Sequence, residues 1–287
     1  MPASLIETID TNQFDVPHSG ATYLIRGDCP VLIESGTAAS AGRTIDTLKA
    51  LEDSAPEFIF LTHVHLDHAG GAGHLARAFP KTKIVVHERG ARHLADTRQL
   101  LDSVRVAAPD IFHRYGEPLP VPESQLVTVT GGEVFDLGKN VQLQVVATPG
   151  HAPHHVCFYE QGSRTLFTGD AVGNWNNPVD VPLTVPPRFD IPRGLETLQS
   201  LQLLDLEYLA FTHFGITSNA LDHLQRYERQ LIEWLDEIGK LAISLEPADI
   251  TKQILDRPCY RGLSETERNL IAMCVVGATL SLQTDRE

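Results

Sequence analysis

The chain has 287 residues, 42% of them hydrophobic and 21% charged, which suits a globular protein able to bury a full core and excludes collagen-like, disordered and disulfide-scaffold classes. Its formal net charge is −14, a field that repels nucleic-acid backbones and anionic membrane surfaces. The expected partner is therefore a small molecule, with no nucleic acid and no membrane.

In chain order, the first half alternates strand-like and helix-like segments. Tyr23–Arg26 and Val31–Glu34 form a predicted β-hairpin around Gly27-Asp28. Gly42–Leu51 has helical spacing, Phe58–Leu61 is a short buried strand, and Gly73–Phe79 is helical. Lys83–His87 follows as a strand, and Gly90 to about Leu101 as one helical stretch. Pro109 to Pro122 carries four prolines and reads as a loop or lid. A strand-rich block comes next: 126–130, 134–137, 141–147, 155–159 and 165–168. Gly173 to Pro192, with five prolines, is a second long loop. Leu195–Leu204 is helical and Tyr208–Thr212 a short strand.

Beyond about Ile216 the pattern turns helical. Leu221, Leu224, Tyr227, Leu231, Trp234, Leu235 and Ile238 share one helical face. Glu246-Pro247 marks a helix start, and Ser264-Glu265-Thr266-Glu267 is a capping box. The helix it opens is apolar nearly all round, which calls for burial within the chain or in a dimer interface. The N-terminus lacks a basic segment followed by a long apolar run, and the four cysteines, Cys29, Cys157, Cys259 and Cys274, form no CxxC pair. These features predict a cytoplasmic protein with reduced thiols.

The chain holds 13 histidines. Four metal-competent side chains fall within six residues in Thr62-His63-Val64-His65-Leu66-Asp67-His68-Ala69-Gly70-Gly71, directly after a buried strand. His63 and His65, two apart in extended chain, point the same way. Four donors this close would crowd a single small ion. Two adjacent ions relieve the crowding, one on His63 and His65, the other on Asp67 and His68. A solvated His-rich turn is the bland reading, and it suits an isolated HxH better than HxHxDH after a buried strand.

Three further strand ends complete the set: Pro149-Gly150-His151, Gly169-Asp170 and His213. His151 adds to the first ion, His213 to the second, and Asp170 supplies a bridging carboxylate. Five imidazoles and two carboxylates suit zinc, with iron, manganese or cobalt also compatible, and disfavour the all-oxygen shells of magnesium and calcium.

HxHxDH, then PGH, then GD, then a last His resembles the metallo-β-lactamase fold superfamily across roughly residues 20–215. The resemblance implies an α/β fold, an αββα sandwich, with 1–215 as catalytic domain and 216–287 as a helical extension packed on it. It implies His63, His65 and His151 on one metal, Asp67, His68 and His213 on the other, and Asp170 between them. A metal-bridging hydroxide would be the nucleophile, and Asp67 would steer it or accept a proton. The segment Pro149-Gly150-His151-Ala152-Pro153-His154-His155 is similar to the PGHTPGH of glyoxalase II-like and lactonase-like members. His155 would then support the ligands, while His154 stands where Gly is usual. Glu34-Ser35-Gly36 replaces the usual Asp-Thr-Gly or Asp-Ser-Gly turn, and Ala21 stands where Asn is frequent.

The expected activity is hydrolysis of an ester, lactone, thioester or phosphoester. Trp175, Arg188 and Arg193, on the second proline-rich loop and just after it, are candidate substrate contacts, against plain packing for the Trp and solvated loop charges for the two Arg. The alternative within the same fold is a persulfide dioxygenase-like oxidoreductase with one Fe(II) on His63, His151 and Asp170. A flavodiiron enzyme would need Glu where His65 stands, and a non-catalytic scaffold would have lost ligands. The apolar last helix points to a homodimer.

Overall fold

The computed structural model describes residues 5–51, 55–138, 141–174, 181–186 and 189–284. Two six-stranded sheets face one another. The first contains β1 (Ile6–Asp10), β2 (Ala21–Ile25), β3 (Val31–Ile33), β4 (Phe58–Phe60), β5 (Lys83–His87) and β6 (Leu126–Val129), in that spatial order. β2 and β3 form the expected hairpin, Tyr23 opposite Ile33 and Ile25 opposite Val31, and β3 to β6 run parallel. The second sheet contains β7 (Val134–Asp136), β8 (Gln142–Ala147), β9 (Val156–Glu160), β10 (Thr165–Phe167), β11 (Tyr208–Ala210) and β12 (Ile216–Thr217). β7 to β10 are antiparallel, and β11 joins β10 in parallel.

Side chains that alternate along each strand sort into three apolar layers. Tyr23, Ile25, Val31, Ile33 and Phe60 meet Leu143, Val145, Phe158 and Phe167 between the sheets. Leu24, Leu32, Ile59, Ile84 and Val86 point the other way, under α1 (Ala41–Ala50), α2 (Leu66–Ala69), α3 (Ala72–Ala78), α4 (Glu88–Ala95) and α5 (Arg98–Ala107). On the far side, Cys157, Tyr159, Leu166 and Leu209 are covered by α6 (Ile191–Leu201), α7 (Ala220–Leu241), α8 (Pro247–Leu255) and α9 (Glu265–Thr284). The order is helix, sheet, sheet, helix, as the sequence implied.

Local differences have local causes. The stretch 90–101 is two helices, not one, because Asp96 leaves the helix in an extended conformation and its carboxylate accepts the backbone N–H of Arg98 at 3.2 Å. α6 starts four residues before the predicted Leu195: Asp190 accepts the N–H of Arg193, and Pro192 fits the first turn. β1 and β12 are sheet edges with no sequence prediction. On α7 the predicted apolar face is buried except Leu221, which is exposed near its start. The capping box before α9 forms in both directions, Ser264 N–H to Glu267 at 2.7 Å and Glu267 N–H to the Ser264 hydroxyl at 3.3 Å.

Within the chain, α9 buries one side of its apolar pattern and leaves Leu280 exposed. Ile271, Cys274, Val275 and Ala278 are buried in the core, packed with α7 and α8. The segment 181–186 crosses α9 so closely that a Cβ on Gly277 would lie 1.8 Å from the Thr184 carbonyl oxygen. Thr184 Oγ1 donates to the carbonyl of Cys274 (2.8 Å), and Trp234 Nε1 donates to Thr184 Oγ1 (3.1 Å). Among the described residues, no helix is long and apolar enough to cross a membrane.

Candidate metal centre

Each predicted donor leaves the end of a core strand, and those ends share one edge of the sandwich. β4 runs into His63, β8 into His151, β10 into Asp170 and β11 into His213. Backbone hydrogen bonds tie the two sheets together there, from Val156 N to Thr62 O (2.9 Å) and from Ala21 N to Thr212 O (2.7 Å). His65 is extended and starts α2, whose single turn presents Asp67 and His68. Gly169 turns at φ 49°, and a Cβ there would lie 2.6 Å from both His155 Nε2 and Thr62 Oγ1. The tight turn thus delivers Asp170 into the cluster.

Two groups of donors result. One ligand atom from each of His63, His65, His151 and Asp170 lies within 4.8 Å of the others, and so do those of Asp67, His68 and His213. Asp170 reaches both groups. Its Oδ2 is 3.3 Å from His151 Nε2, and its Oδ1 is 3.2 Å from both His68 Nε2 and His213 Nε2.

The hydrogen bonds behind the cluster fix which ring nitrogens face it. His68 Nδ1 donates to Glu34 Oε1 at 2.9 Å and His151 Nδ1 donates to the Leu183 carbonyl at 3.0 Å. Thr62 Oγ1 donates to Glu34 (2.6 Å) and so accepts from His63 Nδ1 (3.0 Å). Nε2 of His63, His68 and His151 therefore faces inward, with His151 Nε2 3.0 Å from His65 Nδ1. His63 Nε2, His68 Nε2 and Asp170 Oδ1 are buried without a well-directed hydrogen bond, the 3.2 Å contact between His68 and Asp170 being an ion-pair approach. Such buried polar atoms are costly, and three converging on one space fit a metal-binding role.

The electrostatics divide the cluster into two sides. Burial and the neighbouring imidazoles hold His63 well below the ordinary histidine range, and burial followed by His151 does the same to His65. Burial alone would raise Asp170, but the imidazoles of His68, His151 and His213 hold it well below the carboxylate range. His68 and His213 run the other way: burial lowers them, but Asp170 and Asp67 raise both above the ordinary histidine range, so a cation binding there would displace their protons.

Three residues sit behind the cluster, and the sequence left the roles of two of them, Glu34 and His154, open. Glu34, at φ 65°, is fully buried and accepts from Thr62, His68 and Thr212 Oγ1 (3.1 Å). His155 Nε2 accepts the Asp170 N–H at 3.1 Å, and its Nδ1 lies 2.8 Å from Thr148 Oγ1, which places it in support of a ligand. His154 Nε2 accepts the N–H of Val64 (3.3 Å), between His63 and His65, and burial pushes its pKa down to about 4. Tyr115 lines the cavity above the cluster, and its phenol is held protonated by burial and by Asp67 and Asp170. Sequence reasoning missed Tyr115, since one aromatic in a proline-rich loop carries no periodic signal.

The candidate substrate contacts fare differently. Trp175 and Arg188 lie outside the described residues. Arg193 is exposed in the first turn of α6, 3.6 Å from Asp190, and is not among the residues lining the cavity.

Residues 15–213 match the model of the metallo-beta-lactamase superfamily. The chain belongs to that superfamily. It is 28% identical to the metallo-beta-lactamase fold-containing protein ST1585 of Sulfurisphaera tokodaii, over 94% of this chain and all of that one. The crystal structure of ST1585 superposes with a TM-score of 0.72 at 23% identity, covering 97% of this chain and 98% of the other. An atrochrysone carboxyl ACP thioesterase of Aspergillus fumigatus is 28% identical over 76% of this chain and 60% of its own length. A hydroxyacylglutathione hydrolase of an Enterobacter species is 33% identical over 50% of this chain and 42% of its own. The chain thus spans about half the length of these two relatives, which place it among the hydrolases of the superfamily.

Proposed function

We propose that this protein is a binuclear metal-dependent hydrolase acting on an ester-type bond of a small molecule. The observation that carries the reading is the convergence of His63 Nε2, His68 Nε2 and Asp170 Oδ1, each without a well-directed hydrogen bond, on one buried space. His63, His65 and His151 would hold one ion, Asp67, His68 and His213 the other, with one Asp170 oxygen directed to each. The nitrogen-rich donor set favours zinc. When bound, such ions acidify a water toward neutrality and polarise the acyl oxygen as Lewis acids.

The remaining work falls to the chain itself. Glu34 and the Leu183 carbonyl hold His68 and His151 with Nε2 inward. Asp67, half-buried at the cavity wall, accepts the proton of the attacking water. The water oxygen forms the new bond to the acyl carbon, the bond to the leaving sulfur or oxygen breaks, and that atom takes a proton. Thioesters are the first class to test, since a relative bears that name.

The deciding experiment is elemental analysis of protein purified without added metal, followed by turnover of thioesters, lactones, carboxylic esters and phosphotriesters. About two transition-metal ions per chain with hydrolysis of at least one class is the expected result. About one iron per chain with oxygen consumption would replace this reading by a dioxygenase using His63, His151 and Asp170. No metal uptake at all would overturn both.

A further inference from the structure

The donor cluster forms the floor of a cavity of about 2400 Å³. His65, Asp67, His151, Asp170 and His213 all lie on its lining, so cavity and cluster are one continuous space. Small-molecule sites usually occupy ~300–1,000 Å³, so this one has room for far more than the reacting group. Its character changes with height. The floor is imidazole and carboxylate. The walls above are largely hydrocarbon, from Leu100 and Val104 on α5 to Met273, Val276 and Leu280 on α9.

α9 explains why. Its cavity-lining residues begin with Thr266 and Glu267 in the first turn; beyond that turn, Asn269, Leu270, Ala272, Met273, Val276 and Leu280 make one stripe that carries no charge. The core-facing residues Ile271, Cys274, Val275 and Ala278 make another. An ordinary surface helix would carry charges on its second face. Beyond its first turn this one carries no charge where it borders a space that leads to the cluster. From Met273 to Leu280 the stripe runs about 10 Å along the helix axis, the reach of roughly eight extended methylenes.

We infer that the substrate carries a long apolar acyl group, laid along α9 with its scissile carbonyl over the donor cluster. The inference rests on the hydrolase reading and names its substrate class, an acyl ester or thioester of medium to long chain. Binding strength comes from the hydrocarbon, and the reacting bond lies where that chain ends. Leaving groups are interchangeable at this level, so sulfur and oxygen esters of one acyl series separate the two sources.

The test uses the full chain loaded with zinc. 4-Nitrophenyl esters and N-acetylcysteamine thioesters are assayed from acetyl to dodecanoyl. The expected kcat/KM rises about fourfold per added methylene until the cavity is filled, then levels off. Ala272→Phe, which places a ring in the stripe, lowers the ratio of dodecanoyl to acetyl kcat/KM at least tenfold. Calorimetry with straight-chain carboxylates supplies a readout without turnover: affinity rises with length, with a negative heat-capacity change. A kcat/KM that is flat or falling with length, while acetyl substrates are turned over, overturns the inference. Turnover of no member with zinc in place, nor of any lactone or phosphotriester, removes the hydrolase reading instead, and the calorimetric series then decides the apolar site alone. Carboxylate affinity independent of length overturns it there.

Discussion

Glu34 Oε1 and His68 Nδ1 lie 2.9 Å apart in a pocket closed to solvent. The same carboxylate oxygen accepts from Thr62 Oγ1 and Thr212 Oγ1, so one group from the first sheet orients residues that follow one strand of each sheet. Glu34→Gln keeps the shape but offers the imidazole an amide in place of an anion. Its expected effect is a 10–100-fold loss of metal affinity, measured by chelator competition, with the far-UV circular dichroism unchanged. Unaltered affinity would mean that His68 is oriented by packing alone.

Removing the metal should also cost stability. Ions bound only by the folded chain stabilise it by about 2.7 kcal/mol when free metal stands at a hundred times Kd. For a chain of 287 residues that corresponds to a fall in Tm of about 4–5 °C for each ion removed by chelation. Differential scanning fluorimetry with and without chelator measures it, and readdition of zinc should restore the starting value.

The contact between α9 and the segment 181–186 predicts a sensitive glycine. Gly277→Ala sets a methyl carbon 1.8 Å from the Thr184 carbonyl oxygen, and backbone on both sides has to move. Overpacking of this kind costs about 1–3 kcal/mol. Because the next carbonyl back, Leu183, receives the His151 ring proton, the displacement reaches the cluster. Chemical denaturation should therefore show the loss in stability, and metal titration a weakened ion on the His63, His65, His151 side.

Cysteine reactivity gives a check that needs no metal. Cys157 and Cys274 are buried, and burial pushes both thiols up to about 12. Partial burial and Glu57 do the same to Cys29. Cys259 is exposed. Iodoacetamide on the native protein at pH 8, followed by peptide mass spectrometry, should modify Cys259 and leave the other three.

The candidate metal donors were legible because their spacing is itself chemical information. His63, His65, Asp67 and His68 crowd into one turn, and a buried strand has no other use for them. Glu34 was visible only as a departure from an expected Asp, since its work depends on Thr212, 178 positions away. Asp96 hid a helix break because a capping residue inside an apolar rhythm looks like one more polar position. α9 was ambiguous for a different reason. An all-round apolar pattern states that each face needs a cover, and core, cavity and second copy satisfy it equally.

α9 has one more consequence, for cooperativity. A helix whose inner stripe closes the outer core and whose other stripe roofs the cavity cannot fray without opening both. The stretch from Ser264 to Thr284 is therefore the chain's last fastening. Loss of those residues should abolish the chain-length dependence of binding and lower the unfolding midpoint in the same step. The wild-type protein should unfold in one transition, with amide exchange in α9 as slow as in the central strands.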